Sequence, residues 1–154
     1  MTAAMMTTED AADIQSLTDT VRRFTVDEIC PHINAWDEAE SFPRSLYKRA
    51  ADLGLMGLGY PEHLGGTPAS QRLRNAFSIT MARYGGSGGV MASLFSHNIG
   101  MPPVLHYGSE ALQQMAIPPV LRGEKIAALA ITEPGGGSDV ASLRCTAVRV
   151  CADY

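Results

Sequence analysis

Between Asp13 and Lys125 apolar residues recur at threes and fours, and each recurrence is cut off by glycine or proline. Such spacing draws one apolar stripe down each of a succession of short helices, which must bury those stripes against one another. Ile14, Leu17, Val21 and Phe24 mark the first helix, with Arg22, Arg23 and Asp27 mostly off the stripe, and Pro31 is expected to end it. Ser41 is expected to cap a second, with Pro43 in its first turn, Leu46, Ala50 and Leu53 on its inner face and Gly54 as its stop. Thr67 and Pro68 open a third, carrying Leu73, Phe77, Thr80, Met81 and Tyr84. The glycine-rich run from Gly85 to Gly89 closes it and reads as a hinge between helices. Val90 to Ile99 predicts a fourth, interrupted by Gly100, Pro102 and Pro103. Ser109 caps a fifth with Glu110 in its first turn, and Pro118 and Pro119 should bend or restart it before Gly123.

Two other stretches join these helices. Trp36, the only tryptophan, reads as packing at a domain edge rather than as a ligand platform. Leu55 to Gly66 is apolar and then crowded with Gly and Pro, which predicts a buried connector ending in a turn.

After Lys125 the character changes. Ile126 to Ile131, and Thr146 to Val150 with Val148 and Val150 alternating against Ala147 and Arg149, predict strands on either side of a glycine loop. Helices followed by the opening of a sheet place an α-to-β boundary at 125/126. The expected fold is therefore mainly α. It comprises a disordered start over 1–12, a helical domain over 13–125 and the first strands of an incomplete β-domain over 126–154, too few to stand alone as a sheet.

Composition removes several function classes. The net charge of -4 and the scattering of 12 Lys and Arg residues argue against a nucleic-acid surface. Cys30, Cys145 and Cys151 lack paired spacing, so free thiols are expected, and no His pair has metal-ligand spacing. The first ten residues have neither the basic start nor the apolar core of a signal peptide, and no stretch approaches the roughly 20 apolar residues of a membrane span. The expectation is a soluble cytoplasmic protein.

The stretch that carries chemistry runs from Leu129 to Arg144. It passes through Thr132, Glu133 and Pro134 into Gly135, Gly136 and Gly137, then reaches Ser138 and Asp139. Glycines let a backbone approach a ligand closely and leave positive φ open, while the Thr132 and Ser138 hydroxyls offer hydrogen bonds on either side. The Walker lysine is absent, and so is a dinucleotide fingerprint.

As a whole, Ala130-Ile131-Thr132-Glu133-Pro134-Gly135-Gly136-Gly137-Ser138-Asp139 resembles the signature of the acyl-CoA dehydrogenases, commonly Thr-Glu-Pro-Gly-Ala-Gly-Ser-Asp. Pro61, Glu62, Gly65 and Gly66, the Gly108-Ser109-Glu110 helix start, and the Gly123-Glu124 turn resemble other segments of that family. The resemblance covers almost the whole chain but less than half of a family member.

The resemblance implies FAD as cofactor, an acyl-CoA thioester as substrate and α,β-desaturation as the reaction. It further implies an electron-transfer flavoprotein as electron acceptor and a homotetramer for the intact enzyme. Leu129, Ala130, Ile131, Thr132, Gly137 and Ser138 would contact the cofactor, Ser138 also the substrate, and Val90 to Val104 would form the wall along the acyl chain. No catalytic residue is expected here, because the family's glutamate base lies in a C-terminal domain beyond Tyr154; the chain alone should be inactive. Glu133 and Asp139 are read as structural. Gly136 stands where alanine is common, Cys145 where threonine is usual, and the Gly-Asp turn expected near the end is missing. Two alternatives stay open: an acyl-CoA oxidase or flavin-dependent monooxygenase of the same superfamily, and a non-catalytic helical module that needs a partner chain.

Overall fold

The computed structural model describes residues 8–85 and 87–148. Helix α1 (Thr8–Phe24) begins inside the stretch read as a disordered start; residues 1–7 lie outside the described part. Its inner face buries Val21 and Phe24 completely or nearly so. The helical path continues past Phe24 through a wide turn at Thr25–Ile29 and a tight one at Cys30–His32 into α2 (Ile33–Glu38). Pro31 therefore does not end it, since proline at the start of a tight turn forfeits no hydrogen bond. The buried Thr25 hydroxyl donates to the Val21 carbonyl at 2.8 Å, so nothing polar is stranded there.

Helix α3 (Ser45–Asp52) starts later than the expected cap. Ser41 instead donates its hydroxyl to the Ala39 carbonyl at 3.1 Å. The cause is Phe42, whose ring packs between those of Trp36 and Tyr47 at 5.9 and 5.4 Å and holds the chain out of helix until Pro43 has passed. Trp36 is half-buried at the edge of the core, as expected. Gly54, at φ +75°, stops α3 as predicted.

Helix α4 (Gln71–Arg83) is capped by Ser70, whose Oγ accepts the Leu73 amide at 3.2 Å. Thr67 does not open it because its backbone is committed elsewhere. Gly59 N–H donates to Thr67 O at 2.8 Å, and Thr67 N–H to Gly57 O at 2.9 Å, a bridge that closes the 57–67 turn. The predicted fourth helix begins earlier and breaks: α5 (Gly88–Leu94) is capped by Ser87, and α6 (His97–Gly100) and α7 (Pro102–Tyr107) follow in steps.

Helix α8 (Glu110–Leu121) is capped by Ser109 as expected but runs unbroken through both prolines. The prolines sit near its C-terminus, where their own carbonyls still accept Arg122, Glu124 and Lys125 amides. Burial of Ile117, Val120 and Leu121 fixes the helix against the rest. Gly123 at φ +72° then turns the chain so closely over α3 that a Cβ would lie 2.5 Å from the Tyr47 carbonyl oxygen.

Two apolar clusters hold these elements. The larger joins α1, α3, α4 and α5 through Val21, Phe24, Leu46, Phe77, Met81 and Leu94; the smaller joins Tyr60 and Leu64 to Ile117 and Leu121. The connector feeds both, with Leu55 and Met56 in the first and Tyr60 and Leu64 in the second.

The expected strands do not form among the described residues. Residues 126–132 and 143–148 are neither helical nor paired, and the only nearby ladder contact among the described residues is an isolated bridge from Glu133 to Gly136. An extended segment becomes a strand only when another pairs with it, and here none does. Val150, in the second expected strand, lies outside the described residues.

Candidate functional site

The α4 helix on one side, α5 to α7 on the other and the connector beneath enclose a cleft of about 820 Å³. Leu55, Leu58, Phe77, Met91, Phe95 and Ile99 give it an apolar interior. Phe77 of α4 and Phe95, just past α5, meet edge to face at 5.0 Å and so join the two sides of the cleft. Its polar side chains are Tyr60, Gln71, Arg74, Ser78, Asn98 and His106, and among the described residues no Asp or Glu lines it. Arg74 lies across Gly59, where a Cβ would stand 3.0 Å from its Cδ. A lining of this kind suits an apolar ligand, and among the described residues it offers no carboxylate.

Behind the cleft, His97 ties its wall to the connector. The ring is buried, and Nε2 lies 2.8 Å from the Met56 carbonyl oxygen, which requires the proton on that nitrogen. Among the described residues Nδ1 has no hydrogen-bond partner within 3.5 Å. Burial pushes the imidazole pKa below its ordinary value.

The segment predicted to hold a cofactor reaches this wall from outside. Ser96, between α5 and α6, donates its hydroxyl to the Ala127 carbonyl at 2.7 Å. Gly100 at the end of α6 leaves room for the same strand of chain: a Cβ there would come within 3.2 Å of Ala128. From that anchor Leu129, Ala130, Ile131 and Thr132 run exposed along the surface. Among the described residues, their backbone groups make no hydrogen bond. Neither Ser96 nor Gly100 was singled out from sequence as an anchor; a glycine ending an apolar run is the signal that marks such an approach.

Gly137 and Ser138 stand in the loop that follows, both exposed. Glu133 and Gly136 exchange backbone hydrogen bonds at 3.0 and 3.1 Å, forming a tight turn at its neck. None of Gly135, Gly136 and Gly137 has a positive φ, so the loop does not use that freedom; what the glycines supply is open space, with nothing within 4 Å of a Cβ at Gly135 or Gly137. The Glu133 carboxylate accepts the Arg144 amide at 2.9 Å and the Cys145 amide at 2.8 Å. These bonds hold its pKa below the usual carboxylate range. Asp139 accepts a hydrogen bond from Ser142.

Among the described residues, the unbonded backbone groups of Ile131 and Thr132, the Thr132 and Ser138 hydroxyls and the open space at Gly135 and Gly137 form an exposed edge rich in hydrogen-bonding groups. Among the described residues no cluster of His, Cys, Asp and Glu is placed to hold a metal ion, and no helix is long and apolar enough to cross a membrane.

The fold is that of a helical domain with an apolar cleft, flanked by an exposed non-helical segment. Residues 11–124 match the family described as "Acyl-CoA dehydrogenase, N-terminal domain". The chain belongs to the acyl-CoA dehydrogenase family. It is 33% identical over 148 residues to benzylmalonyl-CoA dehydrogenase of Aromatoleum aromaticum, covering 94% of this chain and 38% of that protein. It superposes with a TM-score of 0.82 on a provisionally designated acyl-CoA dehydrogenase of Mycobacterium smegmatis, at 44% identity, covering 90% of this chain and 35% of that one. An acyl-CoA dehydrogenase of Bacillus anthracis complexed with FAD gives 0.73 at 30% identity, covering 90% and 24%. The chain thus spans little more than a third of the length of the first two relatives.

Proposed function

We propose that this chain supplies the helical acyl-binding wall and the flavin-facing segment of an FAD-dependent acyl-CoA dehydrogenase. In this reading 13–125 is the helical domain and 126–154 the start of the β-domain. The observation that carries it is the close approach at Gly100, where the backbone of Ala128 and Leu129 passes against α6, a helix that also lines the cleft through Asn98 and Ile99.

Bound FAD would supply the acceptor for the hydride leaving the acyl β carbon. The chain's own residues would then divide the remaining work. Backbone groups of Leu129, Ala130 and Ile131, the Thr132 hydroxyl, and Gly137 and Ser138 would orient the ring, with Ser138 also reaching the substrate. Leu55, Met91, Phe95 and Ile99 would hold the acyl chain and exclude water.

Loss of the α-proton needs a positioned carboxylate. Neither Glu133, committed to two amides, nor Asp139, committed to Ser142, is placed for it. The resemblance to the family would assign the base to a glutamate of a C-terminal domain outside residues 1–154, and on that reading the chain alone should not turn over. In the intact enzyme the electrons would pass to an electron-transfer flavoprotein, and the assembly would be a homotetramer.

The test is direct. The purified chain is mixed with FAD and a series of acyl-CoA thioesters and flavin absorbance is followed. No bleaching is expected from the chain alone, and bleaching that depends on it would sink the assignment of the base elsewhere. Acyl-CoA binding, read by calorimetry, should weaken when Met91→Trp fills the cleft; an unchanged affinity would remove the cleft from the reading.

A further inference from the structure

The loop from Glu133 to Cys145 buries nothing. Val140 is 50% exposed and Leu143 36%, and none of its residues belongs to either apolar cluster. A loop without a core must be held by its polar contacts, and those described converge on one residue. The Glu133 backbone closes the neck onto Gly136, while its carboxylate spans to the far end, with one oxygen on the Arg144 amide and the other on the Cys145 amide. The remaining internal contacts are short-range: Ser142 to Asp139, and the tight turn Val140–Ser142. Among the described residues only the Glu133 side chain joins the two ends. An ionised carboxylate facing two successive amides makes charge-assisted bonds, stronger than those of a neutral acceptor.

We infer that Glu133 is a positioning residue: its carboxylate clasps the loop shut through the Arg144 and Cys145 amides and so fixes where Gly137 and Ser138 stand. This rests on the reading of those two residues as part of the flavin and substrate edge. Glu133 touches no ligand in this arrangement and acts through the loop alone. An amide side chain at the same place keeps one carbonyl acceptor and can clasp one amide; alanine clasps none.

The test uses the 154-residue chain and its Glu133→Ala and Glu133→Gln variants. Amide hydrogen exchange at Arg144 and Cys145 should accelerate at least tenfold in Glu133→Ala, with Glu133→Gln between, while helical circular dichroism and the melting temperature stay constant. Heteronuclear relaxation at Gly137 and Ser138 should report faster motion in the same order. Equal exchange and equal motion in wild type and Glu133→Ala overturn the clasp. FAD titration by flavin fluorescence separates the two layers. Wild-type binding weakened tenfold in Glu133→Ala, and partly restored by glutamine, supports the positioning role. Unchanged affinity despite a loosened loop overturns that role. No FAD binding by a wild-type chain whose amides are protected overturns the flavin reading, and the positioning role with it, although the clasp itself would have been observed.

Discussion

The Tyr60 hydroxyl donates to the His97 carbonyl oxygen at 3.1 Å, linking the connector to the helix that backs the cleft. That carbonyl also accepts the Met101 amide at 2.8 Å, so Tyr60→Phe removes one bond without orphaning the acceptor. The expected cost is about 1 kcal/mol, measured by urea unfolding at neutral pH. A stability equal to wild type would assign the tie no energetic weight.

The same phenol predicts an alkaline limit. Burial pushes the Tyr60 pKa up to about 12, above the value near 10 of an unfolded tyrosine. The folded state therefore keeps its proton where the unfolded state releases it. The contribution is complete below about pH 10 and is lost as pH rises through about 12, on the order of 2 kcal/mol in all. Unfolding curves across that range should be steeper for wild type than for Tyr60→Phe. Parallel curves would refute the linkage.

His97 sets the acid side. Its pKa is lowered, first by burial, so the folded state resists a proton that the unfolded chain accepts near pH 6.5. Stability is fully present above that pH and declines as pH falls below it toward the depressed folded value. In His97→Gln, whose amide can still donate to Met56 O, the decline between pH 6.5 and 5 should flatten. Equal slopes for the two proteins would place the acid sensitivity elsewhere.

Two glycines should behave oppositely. At Gly123 the backbone has φ +72° and a Cβ would stand 2.5 Å from Tyr47 O, so Gly123→Ala should cost about 2 to 4 kcal/mol. Gly135 has no positive φ and open space around it, so Gly135→Ala should change stability by less than about 0.5 kcal/mol. Thermal melts of both variants decide it; similar losses would contradict the geometry.

Cys145 gives a chemical readout of its neighbour. The thiol is exposed, and a hydrogen bond to Glu133 pushes its pKa up. At pH 8 a smaller share is thiolate, the reactive form. Iodoacetamide should therefore modify Cys145 faster in Glu133→Gln than in wild type, read on the Cys145 peptide by mass spectrometry. Equal rates would show that the carboxylate does not govern the thiol.

Periodicity made the helical faces legible: Val21, Phe24, Leu46, Ala50, Phe77 and Met81 all reach the core their spacing implied. Local chemistry was less reliable wherever a distant contact competed with it. Ser41 is a good cap by type, but Phe42 prefers the rings of Trp36 and Tyr47; Thr67 is another, but its backbone belongs to a turn with Gly57 and Gly59. Alternating valines read as strands, yet pairing is a property of two segments and no single one encodes it. The glycine loop was found by its composition. Its hold was not, because the link from Glu133 to Arg144 and Cys145 crosses eleven residues that carry no periodic signal.

The smaller apolar cluster has its own timetable. Tyr60 and Leu64 precede their partners Ile117 and Leu121 by about fifty residues of chain, so closing that contact carries the entropy of a long loop. During synthesis the larger cluster can assemble once α5 and Phe95 have emerged, while Tyr60 and Leu64 have only Met101, Val104 and Leu105 to cover them until α8 arrives. The prolines inside α8 sit beside the residues that must dock last. For a nascent chain, that interval is when the connector is most open to chaperones and to wrong neighbours.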